Sequence, residues 1–340
     1  MLETIWFVLW GVLWTVYFIT DGYDLGLGTL MPFLSKEDWE RRAIFNAQGP
    51  FWDANEVWLL TAGGATFAAF PKTYAVMFSA LYTPLLLLLF ALIFRGISFE
   101  MRSKEPSLLW RKTWDAAMTG GSFIAALLLG VAFANIFKGL PLDSDGILHG
   151  NLLTLLNPYG LLGGVLFVLM FCVHGSIWLT IMAKGELRER GARMAALLWP
   201  FLLVAAVVFL GATVIATDLY ANILRWPFLA IFPLLAVAGL ICASIFLAKR
   251  DWWKAFASSA AFIGGAAAFG VAGLYPRLLP SSLDPAASLT AFNSASSTLT
   301  LSIMLGVVLI FIPIVLAYQV WVHKKFTSEI DVETLAKTGK

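Results

Sequence analysis

Nine apolar runs divide this chain, at about 5–31, 51–70, 74–99, 115–137, 158–183, 195–217, 226–248, 255–275 and 298–321. Each can carry an α-helix across roughly 30 Å of hydrocarbon at ~1.5 Å per residue. The pattern therefore predicts an all-α integral membrane protein of about nine transmembrane helices. The second run is the least apolar, because Trp52-Asp53-Ala54-Asn55-Glu56 opens it, and Pro71 leaves only a tight turn before the third. An odd number of spans puts the two termini on opposite sides.

The basic residues give the direction. Counting Arg95, at the inner end of the third run, with the loop that follows it, nineteen of the 23 Lys and Arg lie in the tail and in the loops after runs one, three, five and seven. The other four are Lys72, Lys138, Arg225 and Arg277. Short cytoplasmic loops are enriched in Lys and Arg, so the N-terminus is expected outside and the C-terminus in the cytoplasm. Residues 1–324 then form one polytopic helical domain and 325–340 a polar cytoplasmic tail. The first run has no basic segment before it and continues to about Met31, which predicts a retained span rather than a signal peptide.

Composition agrees and excludes a soluble domain. Of 340 residues, 60% are apolar and 13% charged, with 27 Phe and 14 Trp; the mean hydropathy is +0.82. No soluble core can hide that much apolar surface. The net charge of +2 singles out no partner, and no basic patch points to nucleic acid. Cys172 and Cys242 both lie in apolar runs and make no C-x-x-C, so neither an iron–sulfur cluster nor a zinc site is expected. No internal repeat is visible. The pairs Gly63-Gly64, Gly120-Gly121, Gly163-Gly164 and Gly264-Gly265 suit close helix packing.

Acidic groups at membrane depth are costly and mark candidate sites. Asp21 and Asp24 lie three apart in the first run and share a helix face, roughly 25 and 30 Å below the outer surface. Asp53 and Glu56 form a second such pair at the start of the second run, at similar depth. Two readings stay open for them. One is structural: snorkelling or packing for the first pair, and complementing a helix dipole for Asp53. The other is a carboxylate relay that draws protons from the cytoplasm. Of the three histidines only His174 is deep, since His149 lies in an outer loop and His323 at the inner end of the last run. Two histidines at matching depth are therefore lacking for a haem held between them, while a His–Met pair stays open. No catalytic triad, phosphate loop or metal-ligand spacing occurs, so no catalytic, cofactor-binding or metal residue is assigned.

Several stretches resemble one family in order and spacing: Thr20-Asp21-Gly22-Tyr23-Asp24-Leu25-Gly26, Gly49-Pro50-Phe51-Trp52-Asp53-Ala54-Asn55-Glu56-Val57-Trp58-Leu59 with Thr61-Ala62-Gly63-Gly64-Ala65, Phe99-Glu100-Met101-Arg102-Ser103-Lys104, Trp110-Arg111-Lys112-Thr113-Trp114-Asp115, Leu156-Asn157-Pro158-Tyr159-Gly160 and Ser296-Ser297-Thr298-Leu299-Thr300. Together they resemble subunit II of the cytochrome bd-type quinol oxidases over essentially the whole chain. The resemblance implies a respiratory complex in a prokaryotic inner membrane that oxidises quinol and reduces dioxygen to water. It implies haem b and haem d ligated by a larger partner, subunit I, with chemical protons taken from the cytoplasm. It leaves open a small single-helix subunit and a structural quinone. By the same resemblance Asp53 and Asp24 belong to the proton path, Glu56 stands where some relatives carry Gln so that its charge is less needed, and Trp58 belongs to a hydrophobic oxygen route, against an ordinary packed aromatic; the relay reading of the residues adds Asp21 and Glu56 to the path. The loop at 218–226 is short where some relatives carry a long insertion. Two alternatives remain on the residues alone, an ion-coupled secondary transporter and a stand-alone b-type cytochrome.

Overall fold

The computed structural model describes residues 1–330. Thirteen helices occur among them: α1 (Leu2–Leu34), α2 (Asp38–Gln48), α3 (Trp52–Ala69), α4 (Pro71–Ala80), α5 (Tyr82–Met101), α6 (Leu108–Lys138), α7 (Leu152–Leu155), α8 (Pro158–Met182), α9 (Gly185–Ala216), α10 (Tyr220–Arg225), α11 (Ile231–Ala248), α12 (Trp252–Leu274) and α13 (Thr298–Phe326). Eight segments are long and apolar enough to cross a membrane: α1, α5, α6, α8, α9, Pro227–Ala248 (a short 3₁₀ turn running into α11), α12 and α13. The run expected as the second span is also helical, as α3, but its 18 residues include Asp53, Asn55, Glu56, Thr61 and Thr66.

The third expected run is not one helix. It breaks at Leu81 into α4 and α5, so the membrane-length helix begins at Tyr82 rather than near Tyr74. Proline explains the break. Pro84 has no N–H to donate to the Ala80 carbonyl four residues back, and its ring would crowd that carbonyl; in the first turn of α5 no such donor is needed. α4 instead packs on a two-stranded antiparallel ribbon, β1 (Arg277–Leu279) with β2 (Leu289–Thr290), at the end of the bundle away from the basic loops.

α1 is the hub, packing against α3, α6, α8 and α12. Its row of large rings, Trp6, Phe7, Trp10, Trp14, Tyr17 and Phe18, is buried at the centre of the core. Further along, bulk gives way to glycine, and α1 crosses α8 almost backbone to backbone. A methyl group on Gly26 would lie 1.7 Å from the Phe171 carbonyl oxygen, and one on Gly175 would lie 2.5 Å from the Tyr23 carbonyl oxygen. Of the glycine pairs expected to pack helices, Gly121, Gly163, Gly164 and Gly265 do so, whereas a methyl on Gly63, Gly64 or Gly120 would have no atom within 4 Å. At the basic end α2 lies across the bundle with Ala43, Ile44, Phe45 and Ala47 buried, and Trp178 of α8 donates to the Ala47 carbonyl at 2.9 Å.

α13 continues to Phe326, past the expected start of the polar tail at 325, and the chain then turns back so that the Ile330 amide donates to the Met182 carbonyl at 2.6 Å. The rest of that tail, 331–340, lies outside the described residues.

The α1–α8 crossing gives the first prediction. Gly26→Ala will destabilise the purified, assembled protein by about 1–3 kcal/mol through overpacking, read as a lowered thermal midpoint. Gly211→Ala, where no atom lies within 4 Å, will leave the midpoint unchanged or raise it.

Candidate functional site

Asp21 and Asp24 leave α1 on one face, just before the Gly26 crossing, and both are 0% exposed. They meet Arg95 of α5, a third residue with no exposure. Arg95 Nη2 donates to Asp21 Oδ1 at 2.9 Å and lies 3.9 Å from Asp24 Oδ2, while Nη1 donates to Glu56 Oε1 of α3 at 2.5 Å. Asn55, beside Glu56, donates through Nδ2 to Asp24 Oδ2 and to the Tyr23 hydroxyl, both at 2.8 Å, and to the Thr20 carbonyl at 3.2 Å. The close α5–α6 approach seats the arginine, because a methyl on Gly121 would lie 2.5 Å from the Ala91 carbonyl oxygen and 3.1 Å from Arg95 Cβ.

Three carboxyl groups thus surround one guanidinium. A Lys could not do this work, since the planar fork of five donors reaches several acceptors at once. Three carboxyls against one guanidinium leave an excess of negative charge, so within these four groups electroneutrality is reached only when two of the carboxyls carry protons. Asp21 Oδ2, Asp24 Oδ1, Asn55 Oδ1 and Arg95 Nε are buried and have no hydrogen-bond partner among the described residues. Polar atoms of that kind are ordinarily satisfied by internal water.

The structure brings together three of the four expected proton-path residues, Asp21, Asp24 and Glu56. Asp53 stands apart, exposed in the first turn of α3 with no hydrogen bond or ion pair among the described residues. Trp58 is 3% exposed and lines an apolar groove of about 440 Å³ between α1, α3 and α13, with Trp6, Val12, Ile303 and Val307. The sequence reading misses Arg95, placing it with the basic loop although it lies inside α5. A lone cation in a leucine-rich run was the signal, because a charged residue at membrane depth faces a partner or a cavity. Asn55 and Tyr23 are missed for a different reason: uncharged side chains give no comparable warning.

The donor chemistry of His174, the deep histidine, does not fit a haem. His174 Nε2 donates to the Ile19 carbonyl at 3.1 Å, which leaves Nδ1 to accept from the Ser259 hydroxyl at 2.6 Å, so neither nitrogen is free for iron. His149 pairs with Asp143 at 2.7 Å in a loop at the end opposite the basic loops. No three His, Cys, Asp or Glu among the described residues cluster as metal ligands.

A second ionic network lies at the basic end, outside the membrane helices' apolar stretches. Arg102 donates to Asp115 Oδ1 and to Asp38 Oδ1, both at 2.6 Å, and Arg41 donates to Asp115 Oδ2 at 3.0 Å. Burial pushes the Asp38 carboxyl up, but its hydrogen bond from Arg102 and the charges of Arg102, Arg111 and Arg42 outweigh that, leaving it below the ordinary carboxylate value.

A sequence model of the family described as "Cytochrome bd terminal oxidase subunit II" matches residues 2–326. The chain belongs to that family. It is 36% identical over 331 residues to the cytochrome bd ubiquinol oxidase subunit 2 of Bacillus subtilis, covering 97% of each chain. It is 37% identical over 370 residues to the cytochrome bd-I ubiquinol oxidase subunit 2 of Escherichia coli K12, covering 99% of this chain and 97% of that one. The fold matches a chain of the bd oxidase of Geobacillus thermodenitrificans with a TM-score of 0.77 at 17% identity, over 95% of this chain and 98% of that one. This subunit II is accordingly a multi-pass prokaryotic membrane protein and part of a quinol:oxygen oxidoreductase complex, which by its nature contains haem and at least one further subunit.

Two predictions follow from the two ionic sites. Arg95→Leu strands three buried carboxyls and will destabilise the complex by about 3–5 kcal/mol, read as a collapse in the yield of assembled, haem-containing protein. Asp38 has a lowered pKa in the folded state, so its stabilisation is fully present above the unfolded value near 4 and is lost as pH falls through the folded value. The acid limb of a pH–stability curve will therefore be blunted in Asp38→Asn.

Proposed function

We propose that this subunit II carries protons from the cytoplasm toward the oxygen-reducing centre of its partner, and that the Arg95 cluster is the buried station on that route. Reduction of one dioxygen to two waters takes four electrons and four protons. Two quinols supply the electrons, and the ubiquinol in the names of the two relatives supports a quinol as reductant. Haem b and haem d, ligated by a larger subunit I, supply the electron transfer and oxygen chemistry. In this chain Asp21, Asp24 and Glu56 hold and pass protons, Arg95 fixes their geometry, and Asn55 orients Asp24.

The observation that carries this reading is the set of three carboxyls on one guanidinium, two of them closed to solvent and Glu56 mostly so, at the end of the bundle that bears the basic loops. The basic-loop rule makes that end cytoplasmic, with nine spans if α3 is counted, the N-terminus outside and the C-terminus inside. Residues 1–324 are then the membrane domain and 325–340 a cytoplasmic tail.

Asp53 takes the outward station. It begins a stripe on α3, with Val57, Leu60, Gly64 and Phe67, that is exposed on the isolated chain. α13 is likewise largely exposed, with only Leu301, Gln319 and Val322 fully buried. A carboxylate on a membrane helix faces protein or water, so we assign this α3–α13 side to subunit I. Trp58 opens the apolar groove between the same helices, a path of low polarity suited to dioxygen. A bound quinone and a small single-helix subunit are compatible with this arrangement.

In the assembled complex, Asp24→Asn and Asp53→Asn will each lower quinol oxidase turnover at least about tenfold with unchanged haem content. Normal turnover in Asp53→Asn removes that residue from the path; normal turnover in Asp24→Asn removes the cluster.

A further inference from the structure

A cleft wide enough for water opens at the basic end beside His323, a residue the sequence placed there without a role. A cleft of about 670 Å³ lies between α13, α12 and the chain after α13, lined by Ile181, Trp253, Gln319, His323, Lys324 and Glu329 among others. His323 is partly buried at its inner wall, its ring stacked on Phe51 at 4.6 Å and edge-on to Trp178 at 6.1 Å. Nδ1 donates to the Gln319 carbonyl of the preceding turn at 2.9 Å. In the neutral ring Nε2 is therefore an acceptor, and it faces the Tyr23 hydroxyl at 3.4 Å.

Tyr23 leads directly to the cluster. Its oxygen and Asp24 Oδ2 share the Asn55 amide, each 2.8 Å from Nδ2. They are thus no further apart than twice that distance, a gap that one water molecule closes. The chain from cleft to carboxyls is His323, Tyr23, Asp24 and Asp21, with every member but the first closed to solvent.

We infer that His323 is the proton-collecting residue of this subunit, taking protons from water in the cleft at Nε2 and handing them past Tyr23 to Asp24. The inference rests on the proton-path reading above and adds its mouth. The step balances without a redox partner: with the ring turned about its Cβ–Cγ bond Nε2 gains a proton from hydronium or buffer in the cleft, and on return Nε2–H donates it to the Tyr23 oxygen while the phenol's own proton moves on to the Asp24 side. The charged and titratable groups facing His323 are Tyr23 from α1, Lys324 on its own helix and Glu329 from the segment that follows; Glu329 is in turn engaged by Lys184 and Arg188. Phe51, Trp178 and Trp253 supply the uncharged walls.

The test uses the intact oxidase in detergent or liposomes. His323→Phe keeps a flat ring on Phe51 but has no nitrogen. Turnover will fall at least about tenfold at pH 8.5 and far less at pH 6, where hydronium is more plentiful, with the haem spectrum unchanged. His323→Glu, which restores a titratable group in the cleft, will recover much of the loss. Wild-type turnover across the pH range in His323→Phe overturns the inference, as does a loss that is equal at every pH and not relieved by glutamate, since that is a packing effect. Should His323→Phe fail to assemble, Tyr23→Phe decides in the same terms, because it deletes one hydroxyl and no ring. If Asp24→Asn is slow while both of these variants are normal, the mouth lies elsewhere and the cluster stands; if all three are normal, both readings fall.

Discussion

One guanidinium holds three carboxyl groups inside a membrane protein, and much of the surrounding architecture follows from the need to keep it there. An isolated carboxylate in hydrocarbon is expensive, and so is an isolated arginine. Together they are tolerable only if distance and direction are fixed to within a hydrogen bond. Arg95 must therefore be brought to Asp21, Asp24 and Glu56 from a different helix, and α1, α3 and α5 must meet at one level. Glycine makes this possible on two sides: Gly26 and Gly175 let α1 and α8 touch behind the aspartates, and Gly121 lets α6 back α5 behind the arginine. Substituting bulk at any of these positions would move a charge, not merely a methyl group.

The network at the basic end extends the same constraint. Arg102 lies seven residues after Arg95, about two helical turns, and is tied to Asp115 of α6 and to Asp38 of α2. Arg41 of α2 closes the set on Asp115, and Arg190 of α9 pairs with Glu40 of α2. α5 is thereby anchored to α6 and α2 beyond the level of the cluster, which resists both sliding and rotation of the helix that carries Arg95. The two networks differ in kind. Asp38 is open to solvent and screened, whereas the three carboxyls at Arg95 are sealed or nearly so.

Hydropathy made the long helices legible, because a ~20-residue apolar run has few other uses. Helix breaks were less so: Pro84 was visible, but whether it kinks a span or starts one depends on what α4 finds to pack against, and that is the ribbon formed some two hundred residues later. Asp21, Asp24 and Glu56 announced themselves by their cost. Arg95 shares that cost yet was masked by proximity to a basic loop, where an arginine is unremarkable. Asn55, Tyr23 and His323 carry no such signal, since each is common at a helix contact; only their mutual distances distinguish them. Asp53 shows the opposite failure, in that its spacing from Glu56 suggests a pair although the two side chains point to different surroundings, one outward and one to Arg95.

α3 combines two unlike surfaces on one helix. Its inward face runs Asn55, Trp58, Ala62, Thr66, so polarity is confined to the end near the cluster and to a single hydroxyl that accepts from Trp10 at 3.0 Å. Between them the helix lines the groove beside α13 with Trp58, Gly64, Ala65 and Thr61, whose hydroxyl is turned back on the Val57 carbonyl at 2.8 Å. In the reading proposed here, protons travel by the polar end and dioxygen by the apolar middle, and less than one turn separates Glu56 from Trp58. Such closeness is workable because the two cargoes respond to opposite properties: a proton does not follow an apolar groove without water or hydrogen bonds, and dioxygen gains nothing from a charged cluster. On that reading a helix any more apolar than α3 would lose the first route and one any more polar would flood the second, which would account for the five polar residues among its 18.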